Sequence, residues 1–365
     1  MVTGSALLVD GAEANRMVQK NITSEDVAKL AKVSQSAVSR TFTPGASVSE
    51  KTRSKVLAAA KNLSYRPNAI ARTLVTQQSH VIGVVVAHLD NPLYLDVLES
   101  LSKRLQREGF HVLLFMADAE DADQILQEIL QYQVQGILMA SVTLSSELAE
   151  ECAGLGIPVV LFNRIVPGTH ASTVSSDNFG GGQRIGRFLI RGGHERIAYI
   201  AGQEESSTNQ DREGGFLSAL QEAKFECWQR EVGNYDFEEA ADATRRLMSG
   251  SEVPDAIFVA SDAMAISVID TLRNEHDMQI PDDISVIGYD NIPQAAWAAY
   301  SLTTVEQQFT AMIRIAVQTL LRQIQADQVT SESFVLPGDL VVRDSARIPP
   351  DLVIENTHVI AGLDD

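Results

Sequence analysis

From Val81 onward, short β-branched runs alternate with amphipathic stretches of helical length, and this alternation constrains the fold more tightly than any other feature. Ile82–Val86, Val112–Phe115, Gly136–Met139 and Val159–Phe162 read as buried parallel strands. Leu93–Glu108, Ala122–Gln133 and Ser146–Leu155 read as the helices between them. A second series starts near Asp177. Its strands are Ile197–Ile200, Ala256–Val259 and Ser285–Gly288, and its helices lie near Gly181–Arg191, Arg212–Glu222, Phe237–Met248 and Ala263–Glu275. Such repetition gives an α/β body with parallel sheets. About 285 residues exceed the needs of one such sheet, which predicts two lobes. Open α/β sheets bind ligands beyond the carboxyl ends of their strands, so two facing lobes would form a cleft there.

The segment before Val81 follows another pattern. Thr23, with Asp26 three residues on, has the form of an N-cap and its capping-box partner. Val27, Leu30 and Ala31 then share one helical face. Lys32 and Val33 make a turn, and Ser34 caps a second helix from Gln35 to about Phe42. Ala37 and Val38 can face the first helix, which leaves Gln35, Ser36, Ser39 and Arg40 outside. Pro44 and Gly45 end the second helix. Ser49 caps a third, Glu50 to Leu63, with Val56, Ala60 and Leu63 inward. Three short helices with a polar, basic second helix suit a helix-turn-helix, whose second helix enters the major groove. Pattern alone also allows a small helical cap on an enzyme.

Charge separates these two alternatives. The chain has 48 acidic and 29 basic residues, a net of −19, which taken as one number argues against a phosphate-rich partner. The charge is divided, however. Residues 16–80 hold 11 Lys/Arg and 3 Asp/Glu, a net of +8, whereas residues 81–365 carry −25. A small basic module joined to a large acidic body points to nucleic acid. Cys152 and Cys227 make neither a disulfide framework nor a zinc site, and read as ordinary buried thiols suited to a reducing cytoplasm. No apolar run is long enough to span a membrane. The first 15 residues carry no positive charge and no long apolar stretch, so no signal peptide is visible. Residues 1–20 read as a disordered leader, with Met17 as a second candidate start.

The segment Tyr65-Arg66-Pro67-Asn68-Ala69-Ile70-Ala71-Arg72-Thr73-Leu74 completes a larger pattern. Thr23-Ser24-Glu25-Asp26-Val27-Ala28-Lys29-Leu30-Ala31, then Val33-Ser34, then Val38-Ser39-Arg40, then Tyr65-x-Pro67-Asn68-x-x-Ala71-Arg72-x-Leu74 resemble the LacI/GalR family of bacterial transcriptional repressors. The resemblance runs on to about Arg343 through Asp90-Asn91-Pro92, Phe162-Asn163-Arg164, Asp177-Asn178, Gly192-Gly193-His194, Arg212-x-x-Gly215-Phe216, Ser261-Asp262-Ala263-Met264-Ala265, Gly288-Tyr289-Asp290 and Leu302-Thr303-Thr304-Val305. It implies an all-α helix-turn-helix domain followed by a two-lobed, periplasmic-binding-protein-like (type I) α/β body with parallel Rossmann-like sheets. The chain would cross between the lobes three times. The expected boundaries are residues 21–66 for the helix-turn-helix, 67–80 for a hinge helix and linker, 81–345 for the effector-binding body and 346–365 for a tail. Within the body, 81–175 and 292–322 would form the N-lobe, and 176–291 and 323–345 the C-lobe. The tail has Pro349-Pro350 and no sustained heptad, which argues against a helical tetramerisation tail. One departure is Lys32, where the family often has Gly. Gly is favoured where φ is positive, and Lys there can add a phosphate contact.

The resemblance also implies an activity: a cytoplasmic homodimer that binds a pseudo-palindromic operator and needs no cofactor or metal. A small effector, a sugar or sugar derivative, would occupy the cleft. Gln35 can pair bidentately with adenine and Arg40 with guanine, while Ser36 is a shorter, less discriminating reader. Thr23, Lys32, Ser39 and Lys51 are expected phosphate contacts, and Ser34 belongs to the same DNA-facing set. Pro67 to Leu74 would form a hinge helix in the minor groove, carrying Asn68 and Ala71, with Leu74 as the apolar wedge. In the cleft, Arg212 matches the family's effector-contacting arginine, and its fork suits a carboxylate or vicinal hydroxyls. Asp290 matches a carboxylate that accepts sugar hydroxyls. Tyr94 and Tyr235 can stack on a sugar face. Asn163, Arg164, Asp177 and Asp262 are further polar candidates.

Two other classes compete. A secreted sugar-binding protein of the periplasmic type shares the body fold but leaves the basic module unexplained. A sugar-converting α/β enzyme would need chemistry that the motifs do not supply. There is no G-x-x-x-x-G-K-[ST] loop and no G-x-S-x-G elbow. Gly180-Gly181-Gly182 is followed by Gln183-Arg184-Ile185-Gly186, which does not fit G-x-G-x-x-G and reads as close packing at a helix start. The seven histidines show no metal spacing, and His194 reads as a turn residue.

Overall fold

A computed structural model describes residues 22–43, 45–67, 79–87, 91–117, 122–142, 144–355 and 358–361. The chain divides into two units, Met1–Ser79 and His80–Asp365. The expected leader and the hinge residues Asn68, Ala71 and Leu74 lie outside the described residues.

The first unit contains α1 (Ser24–Ala31), α2 (Gln35–Phe42) and α3 (Glu50–Asn62). Each helix begins where a side chain accepts from the first turn. Thr23 and Asp26 form a reciprocal capping box, and Ser34 and Ser49 accept from the amides of Ala37 and Thr52. Lys32 ends α1 at φ 54°, in the left-handed region that favours glycine. The core consists of Val27, Ala28, Ala31, Val38, Val56, Ala59 and Ala60. Leu30, expected inward, is 49% exposed instead. Ala28 takes its place because the stripe facing α2 and α3 runs through Val27, Ala28 and Ala31.

In the second unit, the first lobe is a six-stranded parallel sheet built from β1 (Val81–Val86), β2 (His111–Met116), β3 (Gly136–Ala140), β4 (Val159–Phe162), β5 (Ser172–Ser176) and β11 (Ser333–Leu336). Their order is β11-β5-β4-β3-β1-β2. Successive residues point to opposite faces. Val84 and Leu138 join one core cluster with α4 (Pro92–Arg107) and α11 (Phe309–Ala326). Val85 and Met139 join another with α5 (Ala122–Leu130) and α6 (Ser146–Gly154). The edge strand β2 departs from expectation: it is half-exposed, with Met116 at 70%, because it has one neighbour and an uncovered outer side.

The second lobe has a four-stranded parallel sheet, β7-β6-β8-β9, from β6 (Ile197–Ala201), β7 (Arg230–Val232), β8 (Ala256–Val259) and β9 (Ser285–Ile287). Its helices are α7 (Asn178–Arg191), α8 (Ser207–Glu222), α9 (Phe237–Leu247) and α10 (Asp262–Glu275). The glycine run serves close packing of α7 on α8. A Cβ on Gly182 would stand 2.1 Å from the Arg212 carbonyl oxygen, and one on Gly215 would stand 1.9 Å from that of Phe179.

An antiparallel sheet, absent from the parallel pattern read in sequence, has the order β10-β12-β14-β13. Its strands are β10 (Thr304–Glu306), β12 (Asp339–Val341), β13 (Val353–Glu355) and β14 (His358–Ala361). Single bridges from Ile287 to Thr303 and from Asp290 to Glu306 join it to the second lobe. These pairings shift the expected lobe boundaries. Residues 292–306 belong with the second lobe rather than the first, because β10 pairs there and Ile292 donates its amide to Asp262. Residues 323–336 belong with the first lobe rather than the second, because α11 packs on β4 and β5, and β11 hydrogen-bonds to β5. Cys152 is buried, as expected of a core thiol, whereas Cys227 is only half-buried.

Candidate functional site

On α2 the side chains of Gln35, Ser36, Ser39 and Arg40 are exposed, while Val38 and Thr41 are buried. This follows from helical spacing: burying Val38 turns the polar residues outward. Gln35 Nε2 donates to Ser24 Oγ at 2.9 Å, which holds its amide at the start of α1. The Ser34 and Ser36 hydroxyls are 2.9 Å apart. Arg40 makes no side-chain hydrogen bond or ion pair to any described residue. Lys32, in the turn, and Lys51, on α3, are also exposed. Thr23 Oγ1 is already engaged with Asp26, at 2.8 Å.

In the second unit a cleft lies between the lobes, where the strands end. Asn91, Tyr94, Ser141, Asn163, Arg164, Thr208, Arg212, Tyr235, Ser261 and Asp290 line it. Four of these residues take positive φ: Ser141 (62°), Asn163 (57°), Tyr235 (61°) and Asp290 (123°). Ser141 and Asn163 directly follow β3 and β4, and Asp290 follows β9 closely. Non-glycine residues in these conformations cost about 1–3 kcal/mol each and cluster at functional sites. The chain bends sharply there to aim side chains across the gap.

Arg212, on α8, is 2% exposed. Its Nε donates to Asn178 Oδ1 at 2.9 Å, Nη1 to the Ala260 carbonyl, and Nη2 to Asp290 Oδ1 at 3.2 Å. Its Cζ lies 3.8 Å from the centre of the Tyr289 ring. Burial alone would weaken the cation. Asp290 and the surrounding tyrosines more than compensate, holding the guanidinium charged. Asp290 also accepts from Gln307 Nε2 at 2.6 Å. Burial still pushes its carboxyl up to about 6, against the opposing pull of Arg212 and Gln307. Arg164 reaches across the gap: Nη1 donates to Thr208 Oγ1 and to the Asn163 carbonyl, and Nη2 to Ser141 Oγ, each at 2.9 Å. Thr208 Oγ1 stands 3.2 Å from the Tyr235 hydroxyl.

Six of the eight expected cleft residues therefore come together: Tyr94, Asn163, Arg164, Arg212, Tyr235 and Asp290. The other two do not line the cleft. Asp177 caps α7, accepting from the Gly180 amide at 2.9 Å. Asp262 is fully buried and accepts from Thr304 Oγ1 (2.7 Å) and the Ile292 amide (2.9 Å), which ties the loop after β9 to β10. Burial, with Asp290 nearby, pushes its carboxyl up to about 7. Sequence reasoning missed Asn91, Ser141, Thr208 and Ser261. Asn91, Ser141 and Ser261 sit at strand or helix ends; Asn91 and Ser261 carried a signal, as helix-start residues inside quoted motifs, whereas Ser141 carried none. His194 is buried beside Asp255 (3.7 Å), well inside the second lobe, and burial lowers its pKa.

Comparison with known proteins agrees with this arrangement. Residues 23–68 match the bacterial regulatory proteins of the lacI family, and residues 187–346 match a periplasmic binding protein-like domain. The chain is 30% identical to the ribose operon repressor of Haemophilus influenzae over 328 residues, which is 88% of this chain and 98% of that protein. It is also 30% identical to the transcriptional repressor PurR of Mannheimia succiniciproducens, covering 89% of this chain and 98% of that one. Among solved structures, the lac repressor dimer bound to operator and the anti-inducer ONPF superposes with a TM-score of 0.81 at 27% identity. That match covers 89% of this chain and 99% of the other.

Proposed function

The chain belongs to the lacI family of bacterial regulatory proteins, and on that premise we propose that it is a sequence-specific DNA-binding transcriptional repressor whose operator affinity is set by a small polar effector in the interlobe cleft. It is not an enzyme. The observation that carries the reading is the exposed row of Gln35, Ser36, Ser39 and Arg40 on the second helix of a helix-turn-helix. Gln35 reads adenine and Arg40 guanine, with Ser36 as a shorter reader. Thr23, Lys32, Ser34, Ser39 and Lys51 hold phosphates and set the register without reading sequence. Asn68, Ala71 and Leu74 would carry the minor-groove contact of a hinge segment. A homodimer then requires a pseudo-palindromic site.

Arg212, Asp290, Arg164 and Asn163 bind the effector, and Tyr94 and Tyr235 flank it. A sugar or sugar derivative suits this mixture of donors, acceptors and flat apolar rings. The effector acts by binding one lobe arrangement more tightly than another. No helix among the described residues is long and apolar enough to cross a membrane, and action on DNA puts the protein in the cytoplasm. The test is electrophoretic retardation of short duplexes selected from random sequence, at two salt concentrations. A palindromic duplex should be retained and released steeply as salt rises. If no duplex is retained, the reading falls.

A further inference from the structure

Gln35 reaches from α2 back to α1, where its Nε2 donates to Ser24 Oγ at 2.9 Å. Ser24 opens α1 directly after the cap Thr23, and Gln35 opens α2 directly after the cap Ser34. The fold sets their approach. Lys32 turns the chain at φ 54°, the Val33 amide donates to the Ala28 carbonyl at 3.1 Å, and Val27, Ala31 and Val38 share one core. The two helix starts are thereby held beside each other. Gln35 is exposed and Ser24 half-buried. A long, exposed glutamine is rich in rotamers, and the Ser24 hydroxyl gives its amide a defined neighbour before any partner arrives.

A glutamine amide carries one acceptor oxygen and two N–H donors. One donor is committed to Ser24, which leaves Oε1 and one N–H for the groove. Adenine presents an acceptor, N7, and a donor, its N6 amino group, so this remainder matches it bidentately. Guanine presents two acceptors, N7 and O6, which the amide can satisfy together only by giving both hydrogens. We propose that Ser24 is a positioning residue for base readout: by holding one amide hydrogen of Gln35, it makes Gln35 select adenine over guanine. Resting on the reading of Gln35 as a base reader, this role adds the residue that decides which purine Gln35 accepts. Ser24 acts through Gln35 rather than on DNA. A phosphate contact by Ser24 would leave a different signature, since phosphate contacts carry no sequence information.

The experiment is fluorescence anisotropy of the full chain on the selected palindromic duplex and on duplexes carrying each base-pair exchange in both half-sites. Gln35→Ala locates the pair that Gln35 reads, as the position where discrimination is lost. At that pair the wild type should prefer adenine to guanine by about tenfold or more, within the range of one bidentate contact. Ser24→Ala removes the acceptor and frees the second hydrogen. The adenine-over-guanine ratio should then fall by about fivefold, the worth of one net hydrogen bond, while discrimination at the pair read by Arg40 stays unchanged. Ser24→Thr keeps a hydroxyl at the same place and should retain the wild-type ratio. In a Gln35→Ala background, Ser24→Ala should have no further effect on it. Uniform weakening of all duplexes by Ser24→Ala, an unchanged ratio, a ratio lost equally in Ser24→Thr, or a wild-type preference for guanine would each overturn the role of Ser24 while leaving Gln35 as a base reader. If Gln35→Ala loses discrimination at no position, the reading of Gln35 falls and the role of Ser24 with it.

Discussion

The two units handle polar side chains in opposite ways. In the head, the polar row on α2 is exposed, tied only to close neighbours, and rests on a core of three valines and four alanines. In the body, the polar residues that matter most are buried, and Arg212 alone engages Asn178, Ala260 and Asp290. The head's side chains keep their hydrogen-bonding capacity for a partner as large and hydrated as DNA. The cleft's side chains are fixed in advance, which lowers the ordering cost of gripping a small ligand. Stability and recognition are therefore separable on the head and entangled in the cleft, and substitutions can test that division.

The largest effect belongs to Arg212. Arg212→Met would leave Asp290 buried without its cation, and the body should lose about 3–5 kcal/mol in denaturant unfolding. A loss below 1 kcal/mol would show that the cleft network is not structural. The pH dependence comes next. Burial holds Asp262 up to about 7 and Asp290 up to about 6, above the ordinary carboxylate value near 4. Between those limits the native body keeps protons that the unfolded chain has released. Their contribution is complete below about pH 4 and is lost as pH rises toward 7, at about 1.4 kcal/mol per unit for each group. Asp262→Asn should flatten the slope of the urea midpoint between pH 5 and 7, and an unchanged slope would assign the effect elsewhere.

Gly182→Ala should cost about 1–3 kcal/mol through forced separation of α7 and α8, read as a lowered body melting temperature. On the head, Thr23→Ala removes one half of the capping box and should cost about 1 kcal/mol, measured as unfolding of the helical signal. Arg40→Ala should change stability by no more than about 0.5 kcal/mol, as expected for an exposed residue without a side-chain partner among the described residues.

Much of this contrast was legible in sequence, for a physical reason. Caps and periodicity are local, so Thr23, Ser34 and Ser49 located the three head helices, and β-branched runs located the central strands. Leu30 was misplaced because adjacent helical positions differ by a fraction of a turn, and only packing decides which faces inward. β5 was missed because Ser172-Thr173-Val174-Ser175-Ser176 has neither alternation nor an apolar run. β10 and β12 are three residues each and exist only through each other's hydrogen bonds. In the cleft, charged residues such as Arg212 and Asp290 were visible, whereas Ser141 and Thr208 were not, since an isolated hydroxyl carries no signal until the fold sets it beside Arg164. Asp177 and Asp262 have the right chemistry near the right strand ends. Helix capping and a buried loop tie nevertheless use them for structure.

The measurement that bears most directly on the head–body division is fluorescence anisotropy of the full-length protein and its Arg40→Ala variant on the selected palindromic duplex and its single-base-pair variants. The account predicts that the wild type discriminates by about 1–3 kcal/mol at the base pair read by Arg40. The variant should lose discrimination at that pair in each half-site while its melting temperature stays the same. Uniform weakening across all duplexes, or a variant that melts well below the wild type, would contradict it.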